Sequence, residues 1–116
     1  MPHLALEPGA KGREGESRAA AFLESSGYSV VRRNVRAPGG EIDLVCRDGA
    51  TIVFVEVKRR DTRTFGSALS AVGPRKRATL RRIAADYMQI VAPGAHFRFD
   101  VVALDGDRLT LHRNVF

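Results

Sequence analysis

The sequence is poor in several residues that mark particular protein classes. It has a single cysteine, Cys46, and no tryptophan among its 116 residues. One cysteine excludes an intrachain disulfide and a multi-cysteine zinc site within the chain. No run of about twenty apolar residues predicts a membrane-spanning helix, and residues 1–11 lack the basic start and long apolar stretch of a signal peptide. We therefore expect a soluble, cytoplasmic protein with no membrane partner.

The length predicts one domain with a core of its own. A chain of 116 residues buries roughly two-thirds of its unfolded surface on folding, without help from a disulfide or a structural metal. Hydrophobic residues make up 44% and charged residues 28%, which is close to average globular usage. Residues 1–11 mix proline, glycine and lysine without periodicity and are predicted to form a flexible tail. Residues 12–116 are predicted to form the single domain.

The basic residues are concentrated in one segment. The net charge is +6, and residues 59–82 carry eight basic residues against one acid, Asp61. Most basic residues are arginine, whose planar guanidinium matches phosphate oxygens. A genome that prefers arginine codons would also raise the arginine content, but codon preference does not explain the clustering. We predict a nucleic-acid-binding surface, with DNA as the expected partner, made of Arg59, Arg60, Arg63, Arg75, Lys76, Arg77, Arg81 and Arg82.

Hydrophobic periodicity and turn residues predict the order αβββαββ. A helix is predicted over residues 14–26, ending at Gly27. Three strands follow at 28–35, 41–47 and 51–59 as an antiparallel meander. A second helix begins near Pro74 and runs to residue 91, and two further strands cover 97–104 and 109–112. Two amphipathic helices need a sheet to cover, so the fold class is α/β with a mixed central sheet flanked by helices.

Two neighbouring predicted strands carry acids beside a lysine. Side chains alternate along a strand, so Glu56 and Lys58 share one side of the third segment. A two-residue turn at Asp48-Gly49 pairs Asp43 with Phe54, whereas a four-residue loop pairs Asp43 directly with Glu56. Either even loop places Asp43, Glu56 and Lys58 on one face, with the two acids roughly 5–8 Å apart.

Such a cluster fits a hard divalent cation. Carboxylates repel each other beside an apolar sheet, and Mg²⁺ or Mn²⁺ takes oxygen ligands while keeping several waters. Lys58 would orient a water or stabilise charge on a phosphate. The alternative is a cross-strand ladder of ion pairs on a wet face of the sheet, because a pattern of this kind is common by chance. The basic segment that follows directly favours the metal interpretation.

Two more acids have weaker claims from their positions. Glu16 lies at the N-terminal end of the apolar stripe of the first helix, where it either joins the acid cluster or complements the helix dipole. Glu41 follows a Gly-Gly turn and is interpreted as a rim residue rather than a ligand.

Several motifs in one order resemble a known family. The succession of Glu16, Asp43 and Glu56-Val57-Lys58 resembles the PD-(D/E)XK nucleases, whose core is the restriction-endonuclease-like αβββαβ unit. The chain resembles more closely the bacterial YraN family, which is related to archaeal-type Holliday junction resolvases. The motifs that carry this likeness over about residues 12–116 include Gly12-Arg13-Glu14-Gly15-Glu16, Arg33-Asn34-Val35-Arg36, Gly40-Glu41-Ile42-Asp43-Leu44-Val45, Val53-Phe54-Val55-Glu56-Val57-Lys58 and Arg98-Phe99-Asp100-Val101-Val102.

The resemblance implies a site and an activity. Glu16, Asp43 and Glu56 would be metal-binding acids and Lys58 the catalytic lysine, with Ile42 where the superfamily pattern has proline. Lys76 is the candidate for the fourth motif. The expected function is metal-dependent cleavage of structured or branched DNA with Mg²⁺ or Mn²⁺, and a four-way junction with two symmetric scissile strands would favour a homodimer. The alternative is a non-catalytic nucleic-acid-binding module with the same basic surface.

Overall fold

The computed structural model describes residues 13–59 and 72–116, and it has the predicted order of elements. The elements are α1 (Arg13–Ser25), β1 (Ser29–Ala37), β2 (Gly40–Asp48), β3 (Thr51–Arg59), α2 (Pro74–Val91), β4 (Phe97–Asp105) and β5 (Arg108–His112). Their bounds differ from the predicted ones by at most two residues. The expected tail at residues 1–11 lies outside the described residues, so the domain boundary stays a prediction.

All five strands form one sheet in the order β1-β2-β3-β4-β5. Strands β3 and β4 pair in parallel, because the connection between them runs through α2, and the other neighbouring strands are antiparallel. This mixed sheet with its αβββαβ order confirms the predicted α/β, restriction-endonuclease-like core. Neither described helix, within residues 13–59 and 72–116, is long and apolar enough to cross a membrane.

The two helices cover opposite faces of the sheet. Leu80, Ile83 and Tyr87 of α2 belong to one buried cluster, which we call the α2 core. Ala20 and Leu23 of α1 belong to the other, the α1 core. The single cysteine, Cys46, is fully buried in the α1 core, as expected for a small apolar side chain, and this burial raises the pKa of its thiol to about 12.

Two glycines fix the ends of elements that lead to the site. Gly27 adopts φ +96° after α1, where the Tyr28 and Gly27 amides donate to the carbonyls of Leu23 and Glu24. This Schellman arrangement closes the helix as predicted. Gly40 lies so close to α2 that a Cβ there would come within 2.9 Å of Thr79 Cγ2. Glycine therefore lets the tip of the β1–β2 hairpin rest on α2.

The β2–β3 turn settles the register that the sequence left open. Asp48 pairs with Thr51 and Leu44 pairs with Val55, so the two-residue turn is Gly49-Ala50 rather than Asp48-Gly49. Gly49 has φ +62°, which suits the first central position of a type II′ turn. The resulting register continues to Asp43 opposite Glu56, the pairing expected from the four-residue alternative.

A buried polar network ties β4 to the loop after α1. The side chain of Asp100 is fully buried; it accepts hydrogen bonds from the Tyr28 hydroxyl at 2.8 Å, from Arg98 Nε at 3.1 Å and from the Asn114 amide at 2.9 Å. Arg98 also donates to Asp48 at 2.9 Å. Because every group is paired, burying this charge is tolerated. Asp100 therefore has a structural role.

We expect Tyr28→Phe to lower the free energy of unfolding by about 1–2 kcal/mol. The substitution removes the hydroxyl that donates to Asp100 and accepts from Arg98 Nη2 at 2.7 Å, and leaves both groups short of one partner. Tyr87→Phe, in the α2 core, is the matched control and should change stability by only a few tenths of a kcal/mol. Urea denaturation of the two variants measures the difference, and equal midpoints would contradict it.

Candidate metal centre

The buried side chains of the β1–β2 hairpin change from one face of the sheet to the other at Asn34 and Asp43. Val35 pairs with Ile42, and both belong to the α2 core. Leu44, only two residues after Ile42, belongs to the α1 core, although residues two apart on a regular strand share one face. Asn34 lies between these pairs with φ +55°, and the register places it opposite Asp43. The left-handed residue Asn34 therefore marks the point along the hairpin where the buried side chains change from the α2 core to the α1 core.

Three carboxylates meet beside this change of face. One oxygen from each of Glu16, Glu41 and Asp43 lies within 4.8 Å of the others. Asp43 Oδ2 also accepts a hydrogen bond of 2.8 Å from the Val57 amide, so the β3 backbone holds this carboxylate. Glu41 Oε2 accepts a hydrogen bond of 2.8 Å from Arg36 Nε across the hairpin. The structure thus brings Glu16 and Asp43 together as predicted.

Glu41 is the acid that the sequence interpretation undervalued. The sequence interpretation makes it a rim residue, and its side chain is indeed 31% exposed, yet its carboxylate belongs to the cluster. Glu41 and Asp43 lie two residues apart on β2, so alternation already places them on one side of the strand. What alternation does not give is their distance to Glu16, which depends on how α1 packs on the sheet. Asn34 stands in one of the motifs of the family resemblance, and its other sequence signal is that asparagine tolerates a left-handed backbone.

Glu56 faces a lysine from α2. Its side chain is 7% exposed, and Lys76 Nζ lies 2.8 Å from Glu56 Oε2. This ion pair gives Glu56 Oε2 a charged partner. Glu56 also lies close enough to Asp43 to raise the pKa of that carboxyl group, which connects it to the three clustered acids. Lys76 therefore reaches the acids from the second helix, where the sequence had placed it as a candidate.

Lys58 follows Glu56 by two residues on β3. Its side chain is partly buried, and it lies close enough to interact with Lys76. Both lysines therefore stand on the side of β3 that carries Glu56. Within residues 13–59 and 72–116 no hydrogen bond or ion pair joins Lys58 to Asp43, so its predicted catalytic role stays a prediction.

Asp43 and Glu16 resist ionisation when no cation is present. Burial is the main cause that raises the pKa of Asp43 to about 9, and the hydrogen bond and negative charge of Glu56 add to it. Burial also raises the pKa of Glu16, against a hydrogen bond from Asn34 that lowers it. For Lys76, burial opposes the charged form, but Glu56 and Asp43 outweigh burial and raise its pKa. The site favours added positive charge.

An open cleft gives solvent access to the acids. It has a volume of about 330 Å³, and its walls include Glu16, Glu41, Asp43, Glu56 and Arg59. A second groove of about 300 Å³ runs between the hairpin tip and the start of α2, and it shares Glu41 and Lys76 with the cleft. The two depressions therefore meet at the acid cluster.

The predicted basic surface divides into two groups. Arg75 is exposed and lines the second groove, while Arg59 is exposed at the acid cleft. The second group contacts the protein itself and consists of Arg77, Arg81 and Arg82 of α2. Arg60 and Arg63 lie outside the described residues.

Part of the arginine content of α2 stabilises the fold. Arg77 Nε donates to the Val72 carbonyl at 2.8 Å, and Arg82 donates to the carbonyl of Pro38 at the hairpin tip. The guanidinium groups of Arg77 and Arg81 lie 5.9 and 5.8 Å from the centre of the Phe116 ring, within cation–π range. Clustering in sequence did not reveal these internal contacts.

The donor set suits a hard divalent cation. All the clustered groups are carboxylates, and burial disfavours the ionised forms of Asp43 and Glu16 without a cation. Mg²⁺ and Mn²⁺ prefer such oxygen ligands and keep several waters, which the open cleft allows.

Comparisons with known proteins agree in one family. The model of the uncharacterised protein family UPF0102 matches residues 15–104. A UPF0102 protein of Shewanella loihica is 48% identical over 106 residues, covering 91% of this chain and 93% of that protein. Its counterpart in Dechloromonas aromatica is 46% identical over 109 residues, covering 92% and 88%. These matches confirm the resemblance to the YraN family, and the chain therefore belongs to the uncharacterised protein family UPF0102.

Proposed function

We propose that this protein is a metal-dependent endonuclease that cleaves structured or branched DNA. The observation that carries the proposal is the meeting of Glu16, Glu41 and Asp43 within 4.8 Å in an open cleft whose wall includes Arg59. Carboxylates gathered next to cationic side chains suit a phosphodiester, because acids bind the metal and cations bind the backbone. The family resemblance of the Glu16, Asp43, Glu56 and Lys58 motif supports the same reaction.

Each residue of the site has a stated part in this proposal. Glu16, Glu41 and Asp43 would hold Mg²⁺ or Mn²⁺, with Glu56 beside them. The bound ion would supply Lewis acidity at the phosphate and lower the pKa of water. Lys58 would orient the attacking water or stabilise charge on the phosphate oxygens. Lys76, which neutralises Glu56 in the metal-free site, would be free to contact the DNA backbone once the acids have another cation.

A cleavage assay tests the proposal directly. Four-way junctions, flaps and linear duplexes are incubated with the protein and Mg²⁺, Mn²⁺ or EDTA. We expect strand scission with either metal, none with EDTA, and a preference for one branched substrate. The alternative is a non-catalytic binding module, favoured by the Lys76–Glu56 ion pair, which neutralises one acid without a metal. Tight binding of every substrate with no scission under any metal would support that alternative.

We expect Arg75→Ala to weaken DNA binding and to reduce the slope of log K against log salt by about 1. Arg75 is exposed in the groove that adjoins the acids, where it would neutralise one phosphate. Arg47→Ala is the matched control, because Arg47 is exposed near the opposite end of β2, where it pairs with Ile52 of β3. Fluorescence anisotropy across a salt series measures both slopes, and equal losses would refute a specific path along the groove.

A further inference from the structure

Asn34 is the one described residue with a left-handed backbone that also lies at the acid cluster. Its φ is +55° and it is 1% exposed, in the middle of β1 and away from the register shift between Val30 and Arg32. A left-handed non-glycine residue is uncommon inside a strand and is found where surrounding structure enforces it. The register places it opposite Asp43.

The side chain of Asn34 lies beside Glu16 and has one unpaired end. Its amide is close enough to the carboxylate of Glu16 to lower the pKa of that group. An ionised carboxylate attracts a donor, so the amide nitrogen is assigned to the side of Glu16, which leaves the amide oxygen. That oxygen, Asn34 Oδ1, is buried and has no hydrogen-bond partner among the described residues. Nearly all buried amide oxygens are paired, so this one indicates a missing donor.

A hydrated divalent cation would bring such a donor. Mg²⁺ and Mn²⁺ keep several waters when carboxylates bind them, and each of these waters donates hydrogen bonds. Polar groups around the direct ligands commonly orient them and are needed for affinity. No other described residue combines contact with a clustered acid, near-complete burial and an unpaired amide oxygen.

We propose that Asn34 is a positioning residue of the metal centre: its amide nitrogen fixes Glu16 as a ligand, and its amide oxygen accepts a hydrogen bond from water carried by the ion. This inference rests on the proposed metal-dependent function, and it adds a residue that the family motif of acids and lysine does not include. The left-handed backbone serves the same end, because it turns the side chain at the place where the hairpin exchanges its inward face.

Calorimetric titration of the full chain with Mn²⁺ tests the proposal without any cleavage assay. Asn34→Gly keeps the positive φ, which glycine adopts freely, and removes the amide. We expect Mn²⁺ affinity to fall about ten- to a hundredfold. The matched control is Asn114→Gly, because Asn114 also has a positive φ, of 52°, and its backbone amide bonds Asp100 away from the acids. Asn114→Gly should bind Mn²⁺ as the wild type does.

A double-mutant cycle with Glu16→Gln separates positioning from general structural damage. Because the amide nitrogen of Asn34 acts through Glu16, the variant carrying both substitutions should lose less Mn²⁺ affinity than the product of the two single losses. Thermal melting confirms that each variant is folded. The proposal would be overturned, with the metal site left intact, by either of two results. One is a double variant whose loss of Mn²⁺ affinity equals the product of the two single losses. The other is an Asn34→Gly variant whose Mn²⁺ affinity equals that of Asn114→Gly. A wild type that takes up no Mn²⁺ would overturn both this proposal and the proposed function.

Discussion

Asp43→Asn should abolish metal-dependent cleavage, with a loss on the order of 10³- to 10⁵-fold, as expected when one member of a cooperating catalytic set is removed. Asp43 is the acid that joins the others: it lies with Glu16 and Glu41 within 4.8 Å, hydrogen-bonds Glu56 and accepts from the Val57 amide at 2.8 Å. Asparagine has the same shape and still accepts from that amide, so the backbone of β3 stays in place. The substitution removes the ionisable group of residue 43 and keeps its size and its hydrogen bond to β3.

The assay compares cleavage and binding in the same variant. Asp43→Asn should bind junction DNA as well as the wild type does, because the basic surface is untouched. Lys58→Met is the companion variant, and it should lose activity by about 10²- to 10⁴-fold while it keeps its Mn²⁺ affinity. Asp43→Asn that cuts DNA at the wild-type rate would exclude this acid from the reaction.

The same substitution should stabilise the metal-free protein at neutral and alkaline pH. Burial and the neighbouring Glu56 raise the pKa of Asp43 from its ordinary value of 3.8 to about 9 in the folded state. Between these values the folded chain keeps a proton that the unfolded chain releases, so the free energy of unfolding falls as the pH rises. The stabilising contribution is full below about pH 4 and is lost as the pH approaches 9.

We expect the free energy of unfolding of the wild type in EDTA to fall by about 2–4 kcal/mol between pH 5 and pH 8. This is less than the full pKa shift would give, because solvent reaches this partly buried carboxylate from the cleft. Asp43→Asn has no proton to hold and should show a much flatter profile, with a higher denaturation midpoint at pH 8. Urea titrations at several pH values measure both. Adding Mn²⁺ should restore the wild type and leave the variant unchanged. Parallel profiles for the two proteins would contradict the raised pKa.

Local patterning was sufficient to predict the fold. Gly27 and Pro74 bound the helices where the sequence placed them, and alternation along β2 and β3 located Asp43 near Glu56. These features depend on residues close in sequence, whose conformational preferences are strong. The register was left open between a two-residue turn at Asp48-Gly49 and a four-residue loop. The structure has the register of the loop alternative but closes it with a two-residue turn at Gly49-Ala50, which the sequence analysis did not consider.

The site was predicted only in part, because two of its features depend on tertiary geometry. Glu41 shares one side of β2 with Asp43 by alternation, but its distance to Glu16 depends on how α1 packs on the sheet. The side chain of Asn34 is not a catalytic type, and its burial and positive φ appear only after folding. Arg77, Arg81 and Arg82 each also contact the protein itself, and their predicted contact with nucleic acid stays a prediction. Charge clustering gives the sign of a surface but does not say which side chains are free.

The burial of Cys46 makes this chain convenient for spectroscopy. A fully buried thiol whose pKa is raised to about 12 is almost entirely protonated near neutral pH, and the thiolate is the species that maleimides and nitroxide reagents attack. A cysteine introduced at exposed Arg47 or Arg75 would therefore carry a fluorophore or spin label selectively, with no need to remove the native thiol first. Paired labels at these two positions would report the distance between the end of β2 and the start of α2 when DNA binds.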